Sequence, residues 1–214
     1  MKITHHPSPE SLMSCSAGSM PEAFAAVMAS HIAMCPHCRH ELAMLHEVGA
    51  ALFEGLSPTP VMRKVPVLAL RGLEAEVCEQ AVGEKMGDVP APLVNAVGRS
   101  LDTVAWRWVA PGVWQHRIVL SHEEKGTLRL LKVAAGKALP EHGHSGSELT
   151  IVLRGSFREG GERYVVGDVA DVGASVEHAP VADPDEGCIC LIATFGKVTF
   201  KGLIARLLQP LTGF

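Results

Sequence analysis

One stretch constrains this chain more than any other: residues 136–155, which read GKALPEHGHSGSELTIVLRG. His142 and His144 are two apart, so a strand places both on one face. Glu148 follows a short run containing Gly146, which allows the next strand to return beside the first. Gly136 and Gly155 bracket the group. Two imidazoles and a carboxylate brought together in this way form most of a metal site and need one further donor. Residues 167–178, GDVADVGASVEH, end in His178, which is placed to supply it. Surface histidines in an ordinary hairpin would explain the pair alone, but not four donors and two glycines together. Three imidazoles and one carboxylate accept zinc or another divalent transition metal without selecting one.

The surrounding text fits a sheet. The runs 127–133, 148–153, 163–166 and 188–194 are short and rich in β-branched residues, and Gly160 with Gly161 separates two of them as a turn. Short strands at close spacing predict a sandwich or barrel. This half of the chain resembles the cupin superfamily. The first cupin motif matches at every anchor position. The second keeps His178 but carries Gly173, Ser175 and Ala182 where that family commonly has Pro, Gly and Asn. The resemblance implies a β-barrel that holds a metal through His142, His144, Glu148 and His178.

Before about residue 90 the pattern is helical. Ser19 and Glu22 are spaced as a capping box, with Ser19 as the expected N-cap. Phe24, Val27, Met28, His31 and Cys35 follow at helical spacing. Pro36 ends that helix and suits the first turn of the next, where Leu42, Leu45, Gly49, Leu52, Phe53 and Leu56 form a second stripe. A third helix is expected over 68–82, and Cys15 and Cys78 are expected in the core. His31, Cys35 and Cys38 have the spacing H-x3-C-x2-C. His31 and Cys35 share a helix face, and the Cys35 to Cys38 turn brings two sulfurs to one point. Two thiolates and an imidazole are three tetrahedral zinc ligands. His6 is the natural fourth, with His5 as its rival. His37, His40 and His46 read as solvated or packing residues. The arrangement resembles the zinc-binding domain of bacterial anti-sigma factors, whose ligand positions His6, His31, Cys35 and Cys38 match.

Charge narrows the partner. The chain carries a net charge of −4. Residues 1–60 hold only Lys2 and Arg39 as bases, against Glu10, Glu22, Glu41, Glu47 and Glu54. Such a module is a poor phosphate binder, so no direct nucleic-acid contact is expected. It suits a basic protein surface. No apolar run reaches the roughly 20 residues that cross a bilayer. The polar start has no apolar segment of the signal-peptide kind. A cytoplasmic protein away from the membrane is expected, in which cysteines are ligands or thiols rather than a disulfide frame. Cys188 and Cys190 face one side of a strand about 7 Å apart by strand geometry, a poor spacing for a mutual disulfide. They read as buried thiols or, alternatively, as a redox-sensitive pair. Trp106, Trp108 and Trp114 are expected to pack in the core, and His116 and His122 look incidental.

The whole chain therefore reads as α+β. Residues 1–86 form a helical zinc-binding domain, 87–105 a linker, 106–200 a cupin barrel and 201–214 a tail. That order resembles the ChrR family of bacterial anti-sigma factors. Further matches are PAPLVNAVGRSLDTVAWR at 90–107, the HGHSGSELTIVLRGSF run, and Cys188 with Cys190. The resemblance implies zinc-dependent inhibition of an extracytoplasmic-function sigma factor, released under oxidative stress of the singlet-oxygen type sensed through the barrel. The competing expectation is a metal-dependent cupin enzyme, a dioxygenase or isomerase, with a helical appendage. It would need acid–base groups beside the metal. Glu141 and Glu177 neighbour the ligands in sequence but alternate away from them.

Overall fold

The computed structural model describes residues 2–58, 87–120, 126–174, 176–196 and 198–200. The helix expected over 68–82, Cys78, His122, Ser175 and the tail 201–214 lie outside the described residues.

Helix α1 (Pro9–Ser16) starts where Ser8 accepts a hydrogen bond from the Ser11 N–H, with Pro9 in the first turn and Glu10 beside it. Helix α2 (Glu22–Met34) buries Ala23, Phe24, Val27, Met28 and His31 along one stripe. Its N-cap is Pro21 and not Ser19, with no side-chain cap bond. The expected capping box is thus corrected. Pro21 stands between Ser19 and the helix in extended geometry, and the Ser19 hydroxyl instead donates to the Ser14 carbonyl, closing the turn after α1. Cys35 ends α2 and begins helix α3 (Pro36–Glu54). Its N–H donates to the His31 carbonyl at 2.7 Å, and its sulfur accepts from the Cys38 N–H. One residue thus serves as both caps, because Pro36 can open a helix but not continue one.

A 3-10 turn (Ala91–Leu93), helix α4 (Val94–Val97) and a second 3-10 turn (Leu101–Thr103) lead into the sheets. This joining stretch is itself packed: Val89, Leu93 and Leu101 are among the most buried side chains. Asp88 takes the Leu101 N–H and pairs with Arg154, and Arg154 also reaches Asp102 at 2.6 Å.

The strands are β1 (Arg107–Ala110), β2 (Val113–Ile118), β3 (Gly126–Val133), β4 (His142–His144), β5 (Glu148–Glu159), β6 (Glu162–Val165), β7 (Val169–Val172), β8 (Glu177–His178), β9 (Val181–Ala182), β10 (Cys188–Phe195) and β11 (Val198–Phe200). The large sheet runs β1-β2-β3-β10-β5-β6, with β7 and β9 also on β5; the small one runs β11-β4-β8. These strands all pair antiparallel, as a cupin-like barrel requires.

Alternation along the strands builds two cores. Leu128, Leu130, Leu149, Ile151, Leu153, Ile189, Leu191 and Ala193 turn outward and meet Val27 and Met28 of α2. Leu131, Val133, Val152, Cys188 and Cys190 turn the other way, into the barrel. Burying Val27 and Met28 fully contributes about 1.5–3 kcal/mol each, so α2 is anchored to the barrel by ordinary packing. Among the described residues no helix is long and apolar enough to cross a membrane.

The tryptophans differ from expectation. Trp108 is 61% exposed, and only Trp106 packs against the outer core. Trp106 and Trp114 instead flank the Lys132 ammonium at 5.8 and 5.7 Å. Arg107 and Trp108 at the start of β1 are both exposed while Val109 and Ala110 are half-buried, so β1 has no regular buried face to take Trp108 in.

Strand β5 turns a corner. Its first half pairs with β10 and β7, its second with β6 and β9. The switch falls at Gly155, where φ is +68 and a Cβ would collide with the Gly187 carbonyl oxygen. Both the conformation and the approach demand glycine. Gly155→Ala is expected to cost at least about 2 kcal/mol from strain and collision, and thermal unfolding should show a midpoint several degrees lower. An unchanged midpoint would mean that the corner relaxes freely.

Candidate metal centres

The amino-terminal group forms where α2 gives way to α3. His31 lies in the last turn of α2, Cys35 at the junction and Cys38 in the first turn of α3. His6 comes from the extended segment before α1. Its Nδ1 is 3.5 Å from the Cys35 sulfur and 3.3 Å from the Cys38 sulfur. One ligand atom from each of the four residues lies within 4.8 Å of the others, so the group can hold a metal ion. His31 Nδ1 is 2.8 Å from the Gly167 carbonyl oxygen, which can only accept, so that nitrogen is the protonated one. Its Nε2 is buried with no hydrogen-bond partner among the described residues. A buried acceptor aimed at two sulfurs and an imidazole fits a cation.

Burial lowers both His6 and His31, favouring the neutral, ligating imidazole. Burial and then the neighbouring Cys35 push the Cys38 thiol up to about 12; a bound cation would displace that proton. His5 turns away. Its Nδ1 meets Asp168 at 3.1 Å, and its ring lies 4.2 Å from that of Tyr164. His37 stands beside the group, 4.9 Å from the His6 ring, on an open groove that it lines with Ile3, Met34 and Cys35. His40 and His46 are exposed on α3, and Cys15 is partly buried against the core.

The second group sits on the small sheet and the start of β5. His142 and His178 are register partners on β4 and β8, with rings 4.3 Å apart. Glu148 Oε1 is 4.0 Å from His178 Nε2. These three can hold a metal ion. The backbone of His144 lies on β4 opposite Val198; its side chain is outside what the structure describes.

Outer contacts fix each ligand. His142 Nδ1 bonds the Pro140 carbonyl, His178 Nδ1 meets Glu159 at 2.8 Å, and the Thr150 hydroxyl donates to Glu148. Such partners orient metal-binding imidazoles. Burial raises Glu148 and lowers His142. Burial would lower His178 as well, but Glu159 and Glu148 together raise it. Glu148 and Glu159 begin and end the same strand. Laid straight, their separation would be about 36 Å at 3.3 Å per residue; the corner at Gly155 brings both to one imidazole.

Cys188 and Cys190 are buried, with sulfurs 3.1 Å apart. This corrects the expected spacing of about 7 Å. The strand repeat sets where the residues attach, not where the sulfurs point, and the β10 to β5 register shifts between Ile189 and Cys190. The Cys188 contact and burial push Cys190 well above the usual thiol range. His116 is bonded through Nδ1 to the Ala105 carbonyl. The roles of Glu159, Thr150, Gly167 and Asp168 are not legible from ligand spacing. The only textual hint is the Gly167 and Asp168 pair that opens the second motif.

Comparison with known proteins agrees with this fold. Residues 95–198 match the family described as the ChrR Cupin-like domain. The anti-sigma-E factor ChrR of Cereibacter sphaeroides is 36% identical over 211 residues, covering 98% of each chain. The crystal structure of Rhodobacter sphaeroides SigE in complex with the anti-sigma ChrR is similar with a TM-score of 0.76 and 36% identity. That match spans 90% of this chain and 100% of the other. With near-complete coverage at that identity, this chain belongs to the ChrR family of anti-sigma factors.

Proposed function

We propose that this protein binds and inhibits an extracytoplasmic-function sigma factor through its amino-terminal helices, and that the barrel carries the response to oxidative stress of the singlet-oxygen type. The observation that carries the reading is the surface of α3. Met44, Val48 and Leu52 recur every four residues and are 49%, 59% and 71% exposed, with Phe53 at 76%. An exposed apolar stripe of this kind marks a protein-binding face, and a helix laid into a groove is a recurrent recognition mode. Glu47 and Glu54 lie on the same helix, suiting a partner with basic surface. The similarity to a ChrR held in complex with SigE supports a partner of that class. Membership of an anti-sigma family favours regulation over catalysis, acting in the cytoplasm where sigma factors meet polymerase.

His6, His31, Cys35 and Cys38 would hold zinc, since two sulfurs and two imidazoles suit a closed tetrahedral structural site. His142, Glu148 and His178, with His144 as the remaining ligand, would hold zinc or another divalent transition metal in the barrel. Bound zinc would supply folding energy to the helices. The protein's own residues supply the rest: Cys35 caps α3 and so directs its exposed face, and Glu159 orients His178. Cys188 and Cys190 serve as a redox-sensitive pair inside the barrel, close enough for two thiols to join with loss of two hydrogens to an oxidant.

The test is binding of a purified sigma factor of this class by the full chain. Replacing Leu52 and Phe53 with Asp should weaken it by roughly a hundredfold or more, as expected for paired apolar hot spots of about 2 kcal/mol each. Unchanged affinity would remove α3 as the binding face.

A further inference from the structure

The segment that carries His6 is stitched along its length to one barrel strand. Asp168, just before β7, is 0% exposed. Its carboxylate accepts from the N–H groups of Thr4 at 2.7 Å, His5 at 3.1 Å and Val165 at 2.9 Å, and meets His5 Nδ1 at 3.1 Å. The Val169 N–H donates to the His5 carbonyl at 3.1 Å. Two residues further along β7, Asp171 accepts from the Ser8 N–H at 3.0 Å and the Ser11 hydroxyl at 2.7 Å. His6 lies between these two anchor points. On the other side of the site, the Gly167 carbonyl takes the His31 Nδ1–H and leaves Nε2 for a metal. Gly167 has φ +92, and a Cβ there would fall 2.6 Å from Ile3 Cδ1, so the turn and the segment fit closely. Strand β7 in turn pairs with β5, with Val172 opposite Glu148.

We propose that residues 167–171 of the barrel are the positioning shell of the amino-terminal metal site, so that β7 and the turn before it place both His6 and His31 and link them to the strand bearing Glu148. The proposal rests on reading His6, His31, Cys35 and Cys38 as a metal site. The physical basis is that a ligating imidazole is oriented by what its other nitrogen bonds, and a ligand on an extended segment by what holds the backbone on either side. Losing such outer partners typically weakens metal binding by roughly 10- to 100-fold. At position 168 an amide would turn an N–H group toward donors that now meet a carboxylate.

The experiment titrates the full chain with Co²⁺. Thiolate-to-cobalt absorption arises only where sulfur binds the metal, so it reports the Cys35 and Cys38 site even when the barrel also takes cobalt. Asp168→Asn should weaken the affinity read from that band by roughly 10- to 100-fold. Asp171→Asn, at an exposed carboxylate, should weaken it several-fold, and decides the matter if Asp168→Asn does not fold. Asp183→Asn should leave the affinity unchanged; it removes a barrel carboxylate bonded instead to Ser156 and Arg163. Wild-type affinity in both Asp168→Asn and Asp171→Asn would overturn the proposal. So would an equal loss in Asp183→Asn, which would mark general destabilisation. A wild-type chain that binds no cobalt through sulfur would overturn the metal-site reading itself, which is a separate result.

Discussion

Cys38→Ala is expected to abolish sigma-factor binding while the barrel stays folded. Helix α3 buries only Cys38 among its own residues. Leu45 packs partly against the core, but Met44, Val48, Leu52 and Phe53 face outward. Beyond a metal at this site, α3 is held by half-buried Leu42 and Leu45, by contact with α1 and α2, and by Arg39, which donates to the Ile32 and Ala33 carbonyls. Structural zinc contributes about 10–16 kcal/mol of apparent free energy in small zinc-dependent folds, far more than two half-buried leucines and one exposed arginine's hydrogen bonds. Helix α2 is different, because Val27 and Met28 are fully buried against β3, β5 and β10. Amide hydrogen exchange should accordingly show α3 losing protection while α2 and the strands keep theirs. Sigma affinity should fall by roughly a thousandfold, the equivalent of about 4 kcal/mol. A protected α3 in this variant, or binding that survives, would show that packing and not metal holds the helix.

What can be read in the sequence is local. The H-x3-C-x2-C spacing fixes its own geometry, because a helix end and a proline turn lie within eight residues. The long strands β3, β5 and β10, and the shorter β6, carry enough β-branched residues to declare themselves. The short strands β4, β8, β9 and β11 do not, since two or three residues become a strand only through their partners. Helix α1 is hard to read although Ser8, Pro9 and Glu10 carry the signals of a helix start; Leu12 is its one buried residue, too little for an apolar stripe. The choice between His5 and His6 cannot be made locally. It depends on Asp168, 163 residues further along the chain from His5, which draws the His5 ring aside. Glu159 is hidden for a related reason. Only the corner at Gly155 returns it to His178, and a corner is a property of two sheets. The same holds for Trp108, whose strand is legible as apolar but whose face is not.

His142→Ala should spare sigma binding and remove the response to oxidant. His142 sits on the small sheet with β8 and β11, whereas the strands that pack against α2 are β3, β5 and β10. Removing one imidazole takes away a proposed metal ligand and its contact with His178, but none of the residues that hold α2 or seat Cys38. On the proposed reading, a route from a barrel metal to the helices would run through Glu148, its neighbour Val172 on β7, and Asp168 and Asp171, which grip the His6 segment. Without a loaded barrel site that route has nothing to transmit. Complexes of the sigma factor with each form, illuminated with a photosensitising dye and separated by size, should come apart for the wild-type chain and persist for His142→Ala. Zinc at the amino-terminal site should be retained in both before illumination. Equal loss of sigma binding in His142→Ala and Cys38→Ala, with no oxidant present, would show that the barrel metal is part of the inhibitory fold and not a separate sensor.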